Sequence, residues 1–195
     1  MNIRGSLPFA IGLAAALGLG WIAFPRALYR TENQPLQFNH KLHSSDKVGS
    51  KCADCHALTP TGSFSVPALD ACSGCHAEPV TQSANEKLLV EKYVKPNRPV
   101  PWRVYARQPE NVRFPHAIHI QRAKLKCEQC HGEHGKSESL RPYQENRISG
   151  YSRDIWGYSI SRIVMDTSHP AMKMDDCAAC HREHRVDSSC LDCHK

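Results

Sequence analysis

The chain has 195 residues, with 25 Lys and Arg against 19 Asp and Glu, a formal net charge of +6 and a pI near 8.8. A mean hydropathy of −0.50 and an aromatic content of 7% are too little for a large conventional hydrophobic core. The basic residues are scattered with no run of five or six, so the positive charge makes no footprint for nucleic acid and no nucleic-acid partner is expected.

The first element is Leu7 to Phe24, eighteen uncharged and almost wholly apolar residues between Arg4 and Pro25-Arg26. A membrane anchor and a cleaved signal peptide compete for it. Signal h-regions run about 7–15 residues and a membrane span about 17–25, so the length favours the anchor. No A-x-A-like cleavage site follows the run. Gly12, Ala16 and Gly20 fall at i, i+4 and i+8, a small-residue stripe on which another helix can pack closely. Arg4 lies on one side and Arg26 and Arg30 on the other, so charge does not set the orientation.

Beyond residue 30 the sequence Cys-x-x-Cys-His occurs five times: Cys52–Cys55–His56, Cys72–Cys75–His76, Cys127–Cys130–His131, Cys177–Cys180–His181 and Cys190–Cys193–His194. These copies use all ten cysteines. Two thiols one helical turn apart can add to the two vinyl groups on one edge of a porphyrin, and the adjacent histidine then ligates the iron from below. Zinc would combine two such pairs and leave the histidine after every second cysteine unexplained. A thioredoxin-like disulfide needs one pair in a βαβ setting, and disulfides across two-residue gaps would close strained loops. Five covalently bound haem c groups are expected. They would serve as the chain's apolar mass, with thioether and iron–histidine bonds as staples, short helices at the motifs, long loops and hardly any sheet. Haem propionates would also offset the positive charge.

Each motif supplies one iron ligand, namely His56, His76, His131, His181 and His194, and seven histidines remain for the sixth position: His40, His43, His116, His119, His134, His169 and His184. Phe38-Asn-His40-Lys-Leu-His43 precedes Cys52 as Phe114-Pro-His116-Ala-Ile-His119 precedes Cys127, an internal Phe-x-His-x-x-His repeat. On a helix i and i+3 share a face, so one such pair can serve two irons. His169, in Ser168-His169-Pro170 ahead of the fourth motif, sits in an analogous place. His134 and His184, each three residues after a motif, stand behind these five as candidates. Met165, Met172 and Met174 cluster before the fourth motif as rival ligands, and a His/Met site would raise that haem's potential.

The repeat divides the chain into an anchor or signal segment at 1–30, a first haem module at 31–95, a Pro-rich connector at 96–113 and a second module at 114–195. Ser83-x-x-Glu86 ahead of Leu88, Leu89 and Val90 reads as a capping box opening a short helix, stopped by Pro96. Pro96, Pro99, Pro101, Pro109 and Pro115 predict an extended crossing with Trp102 as anchor, either a plain linker or a docking strap. Residues 132–176 hold no cysteine. They are read as a segment that covers haems or meets a partner, with a solvated loop as the alternative.

The repeat and the motifs resemble the class III low-potential multihaem cytochromes c, mainly irregular folds with short α-helices and bis-histidine haems. In that family the first histidine of Phe-x-His-x-x-His ligates the next haem in sequence and the second crosses to another. The resemblance therefore implies His40 for the first haem, His116 for the third, and crossing roles for His43 and His119. Arg98-Pro-Val-Pro-Trp102-Arg103-Val104, continuing through Pro109 and Val112 to Phe114-Pro-His116, is similar to a stretch of membrane-anchored pentahaem and hexahaem cytochrome subunits. Those subunits belong to alternative complex III and the related menaquinone reductase complex. The likeness covers most of residues 36–131 plus the apolar segment.

The leading functional reading is an electron-transfer subunit of a membrane-bound respiratory or photosynthetic redox complex. Its partners would be iron–sulfur, molybdopterin-like or quinone-reactive subunits, with a soluble cytochrome as a further possibility. Thioether attachment takes place outside the bacterial cytoplasmic membrane, so the haem region is expected in the periplasm and the anchor in the inner membrane. A single-helix quinol dehydrogenase and a diffusible periplasmic carrier are the alternatives. A substrate-reducing enzyme would need an open iron position, whereas all five motifs are regular and histidines are in surplus, so no catalytic residue is expected. The holoprotein mass should exceed the polypeptide by five haems, and changing Cys190 and Cys193 together to Ala should remove one and leave four.

Overall fold

The computed structural model describes residues 3–153 and 172–194. A continuous helical stem opens the chain: an α-helix over Ile3–Gly18, a wide π turn over Leu19–Ala23, and a last α turn over Phe24–Ala27. The wide turn adjoins Pro25, which has no N–H to give to the turn before it, while the Phe24 N–H reaches back five residues to the Leu19 carbonyl. Ser6–Ala23 has a mean hydropathy of 1.8, and none of it is buried against the rest of the chain. Phe9, Leu13 and Trp21 all stand exposed. This one helix is long and apolar enough to cross a membrane.

The stem runs straight into β1 (Tyr29–Glu32), which pairs antiparallel with β2 (Tyr143–Asn146). Tyr29 lies opposite Asn146, and Arg30 opposite Glu145 with an ion pair between them. Glu32 bridges Arg30 and Arg103. Exposed pairs of this kind add little individually. The buried Tyr29, Tyr143 and Asn146 carry the contact, and the Asn146 side chain closes the following turn by accepting from the Ile148 and Ser149 N–H groups. This ribbon joins residues more than a hundred positions apart. The residues on its solvent side are charged or amide-bearing, which is why no period-two apolar pattern announces it.

A small core follows. Leu36, Leu89, Tyr93 and Val100 are buried together, and Leu69, Cys72, Val94 and Trp102 pack against them. The Pro-rich connector is therefore a strap and not a plain linker. Trp102 and Val100 dock on this core, and Gln34 clasps the backbone of Arg103 from both sides: its amide donates to the Arg103 carbonyl (2.9 Å) and its carbonyl accepts from the Arg103 N–H (3.0 Å).

The helix expected after Ser83 forms over Ala84–Leu89, widens into a π turn over Val90–Val94 and ends ahead of Pro96. Its capping box does not form. The Ser83 hydroxyl caps nothing, and Glu86 is buried inside, accepting hydrogen bonds from the Val80 and Thr81 N–H groups (2.8 Å each) and from the Thr81 hydroxyl. Three donors from one neighbouring turn outcompete the single N–H that a capping Glu would have satisfied.

Residues 132–153, the longer described part of the cysteine-free segment, are likewise not a solvated loop. A 3₁₀ turn at His134–Lys136 docks on the short helix His40–His43 through Lys41 N–H to Ser137 O (3.0 Å) and Ser44 hydroxyl to Gly135 O (2.9 Å). Tyr105 donates its hydroxyl to the Arg141 carbonyl, and the Arg141 guanidinium lies 4.3 Å from the centre of the Tyr105 ring. Gly62, at φ +81°, turns the chain between the first and second motifs. Its carbonyl accepts from the Ala117 N–H (3.0 Å), which joins the first half to the second Phe-x-His-x-x-His segment. Leu36→Ala should cost about 2–5 kcal/mol, read as a lower denaturation midpoint of the holoprotein with haem content unchanged.

Candidate haem sites

Each Cys-x-x-Cys-His lies on or against a short helix: Cys52–Cys55, Asp70–Ser73, Cys127–His131, Met174–Glu183 and Cys190–Cys193. Four of the five share one local device. The backbone N–H just before the helix donates to a side chain three residues on: Lys51 to Asp54 (2.7 Å), Lys126 to Gln129 (2.7 Å), Lys173 to Asp176 (2.9 Å) and Ser189 to Asp192 (2.6 Å). This is half of a capping box, and it turns the chain into the helix that spaces the two thiols. Its sequence signal, an Asp or Gln directly before the second cysteine in motifs one, three and five, is plain in retrospect. Gly74 stands there in the second motif, whose helix starts two residues before its first cysteine and ends before its second. None of the ten cysteines is paired in a disulfide.

The imidazoles carry the geometry. Three pairs of rings face each other at nearly one separation: His43 and His76 at 6.2 Å between ring centres, His116 and His131 at 6.3 Å, and His119 and His181 at 6.1 Å. Rings in contact would stack closer than 5 Å, as Phe38 and His43 do at 4.2 Å. Two metal–imidazole bonds of about 2 Å, with about 1 Å more from each nitrogen to its ring centre, put the centres about 6 Å apart. Each pair therefore leaves the room that one iron in a haem plane occupies. The planes are nearly parallel in two pairs, at 1° and 11°, and crossed by 52° for His43 and His76. Each pair joins a histidine of the repeat to a motif histidine: His43 to the second motif, His116 to the third and His119 to the fourth.

The repeat is geometric as well as sequential. Phe38 stacks on His43 (27°) and meets His40 edge-on (79°), and Phe114 stacks on His119 (24°) and meets His116 edge-on (89°). His43 Nδ1 lies 2.8 Å from the Asn39 carbonyl and His119 Nδ1 lies 3.0 Å from that of Pro115, each four residues back. A carbonyl only accepts, so Nδ1 carries a proton and Nε2 is the ring nitrogen left to face a metal. His56 does the same with the Ser65 carbonyl at 3.0 Å. Burial first, and then the neighbouring imidazoles of His134, His56 and His43, push His40 down to about 4, so this ring is neutral at neutral pH. His116 and His131 are lowered for the same leading reason, and His116 Nδ1 is a buried atom with no hydrogen-bond partner among the described residues.

His40 sits beside His56 of the first motif, with His134 in the same cluster and the Ser137 hydroxyl 3.2 Å from its Nδ1. Around the fifth motif, the Arg113 N–H donates to the Cys193 carbonyl (2.8 Å) and Val112 bridges to His194. Among the described residues no second imidazole pairs with His194 at the spacing seen above. His184 caps the helix Met174–Glu183 and is exposed, as is Met174 at 62%. His169 and Met165, with Trp156 and Tyr158, lie outside the described residues.

The thiols order the motifs in space. Cys55 of the first motif neighbours Cys72 and Cys75 of the second, and Cys52 neighbours Cys127 of the third. Cys130 of the third motif neighbours Cys177 and Cys180 of the fourth, and Cys177 neighbours Cys193 of the fifth. The row reads second, first, third, fourth, fifth. Sequence order alone does not contain this inversion, which arises because the first motif lies in space between the second and the third.

Residues 42–143 match the cytochrome c3 family. Over 98% of its length the chain is 34% identical to the multihaem cytochrome c subunit of menaquinone reductase from Nitratidesulfovibrio vulgaris, and the match covers 90% of that protein. The chain belongs to the cytochrome c3-type multihaem cytochromes c, proteins that carry covalent c-type haems and transfer electrons. The likeness read from residues 36–131 thus extends across nearly the whole chain. Replacing His43 and His119 singly by Ala should each leave all covalent haem in place and convert one haem from low-spin to high-spin, seen in the visible and EPR spectra. The combined variant should show two.

Proposed function

We propose that the chain carries five haems and works as the electron-transfer subunit of a membrane-bound quinone-linked redox complex. The observation that supports this most directly is the row of five attachment motifs, in which every motif neighbours the next. When bound, the haems supply one-electron redox chemistry. The chain's own residues do the rest. Ten thiols hold the porphyrins in register, and His56, His76, His131, His181 and His194 bind the irons from one side. His40, His43, His116 and His119 bind four of them from the other, and His169 is the favoured second ligand for the remaining one, with His134 and His184 in reserve. Two protein ligands on each iron leave no position for a substrate, so the subunit passes electrons and leaves bond-making chemistry to partners.

The relative's name supplies the class of complex: a menaquinone reductase, whose other subunits would give the row its donor and acceptor. We read the exposed stem Ser6–Ala23 as the anchor in the inner membrane, with the haem region in the periplasm. Gly12 and Gly20 have nothing within 4 Å of where a Cβ would sit, so the chain itself does not need them small. A partner helix packed on that face would need them so. Replacing both by Leu should leave haem content and spectra intact while membrane subunits cease to co-purify in mild detergent. A mature protein that begins after residue 24 and elutes alone from the soluble periplasmic fraction would overturn the anchored reading.

A further inference from the structure

Among the described residues His76 is the only motif histidine whose Nδ1 faces a carboxylate. It lies 2.8 Å from Glu86 Oε1, whereas His43, His56 and His119 donate to neutral backbone carbonyls and His40 faces a serine hydroxyl. Glu86 is buried, with 8% of its surface exposed, so solvent and salt screen its charge weakly. The Val80 N–H holds Oε1, and the Thr81 N–H and hydroxyl hold Oε2, which fixes the carboxylate in position and favours its ionised form. Its placement is unusual for its local sequence, because the same residue gives up the N-cap of its own helix to sit there.

We propose that Glu86 is a tuning residue that makes the second motif the low-potential end of the row. This rests on the haem reading of Cys72–His76 given above. A carboxylate that accepts Nδ1–H draws the proton away from the ring and makes Nε2 a stronger donor. A stronger donor and a fixed negative charge nearby both stabilise ferric over ferrous iron, and both lower the reduction potential. The second motif has only the first as its neighbour in the row, so the effect falls on a terminus, where electrons from a strongly reducing partner would enter.

Glu86 also ties down the turn at residues 80–83, and a merely structural role would leave potentials alone. Glu86→Gln keeps an acceptor of the same shape and removes the charge. In a redox titration of the full holoprotein one component, and only one, should move to more positive potential, with haem count by mass and low-spin character unchanged. The crossed planes of His43 and His76 should give this haem a low-spin ferric EPR line at higher g than the parallel pairs, which marks the component. Thr81→Val removes a hydroxyl that draws on the same carboxylate and should move that component the opposite way, so the proposal stays testable if the Gln variant folds poorly. Glu78→Gln removes an equal charge from an exposed carboxylate paired with Lys95 and should shift nothing. No shift in either Glu86→Gln or Thr81→Val, or an equal shift in Glu78→Gln, overturns the proposal. Absence of covalent haem on the Cys72–Cys75 peptide in the parent protein would instead overturn the haem reading beneath it.

Discussion

A haem held by two histidines needs imidazoles on opposite faces of one flat plate with their centres about 6 Å apart, and three histidine pairs of this chain stand at that spacing. Among the described residues the conventional core is one cluster of four buried residues with four more packed on them, far too little to order a chain of this length by itself. The histidines do not find their spacing through sheet or long helix. They find it through short local devices: a phenylalanine stacked on one ring, an Nδ1–H bonded to a carbonyl four residues back, and a side-chain acceptor that starts four of the five motif helices. Each device acts within a few residues, so each can be repeated. The chain uses the histidine device twice and the helix-start device four times.

The two copies of Phe-x-His-x-x-His also show how the row stays connected. In each, the two histidines are one helical turn apart but lie against the histidines of different motifs, so one short segment fixes the relative position of two motifs. His116 and His119 tie the third motif to the fourth, at 6.3 and 6.1 Å. His43 ties the second motif to the segment that also carries His40 beside the first. Two junctions remain. Cys177 beside Cys193 makes the fourth to fifth, and the first to third is made by direct contact: Cys52 with Cys127, Phe64 edge-on to His116 at 5.6 Å, and Gly62 against Ala117. A side chain at Gly62 would have to adopt a left-handed backbone with its Cβ 3.4 Å from that of Ala117, so a substitution there would strain this junction.

Much of this was legible in the sequence because haem attachment is a local, covalent signature. The ten cysteines, their five histidines and the repeat ahead of Cys52 and Cys127 follow from spacing alone. The destinations of the crossing histidines do not, because the reach from His119 to His181 depends on how residues far apart in sequence pack. Glu86 is the instructive misreading. Its position after Ser83 satisfies the capping-box pattern, yet the residue faces inward, since a turn ten residues wide brings His76 and three donors to the same point. The pairing of Tyr-Arg-Thr-Glu with Tyr-Gln-Glu-Asn was equally silent, both strands being polar on their outer side and short.

That silent ribbon changes how the stem relates to the rest. Had residues 28–36 been a free tether, the apolar helix would hold the haem region only loosely. Instead β1 pairs with β2 from the second module, Gln34 clasps the connector at Arg103, and Leu36 enters the core beside the second motif, all within eight residues of one another. The segment leaving the helix is thus bound to the first module, the connector and the second module at once. Electron transfer between fixed sites depends steeply on distance, so a row of haem sites gains from being held rigidly relative to the apolar stem. The ribbon, the glutamine clasp and the buried leucine supply that hold from backbone pairing and small contacts, in a protein with little apolar surface to spare for a larger interface.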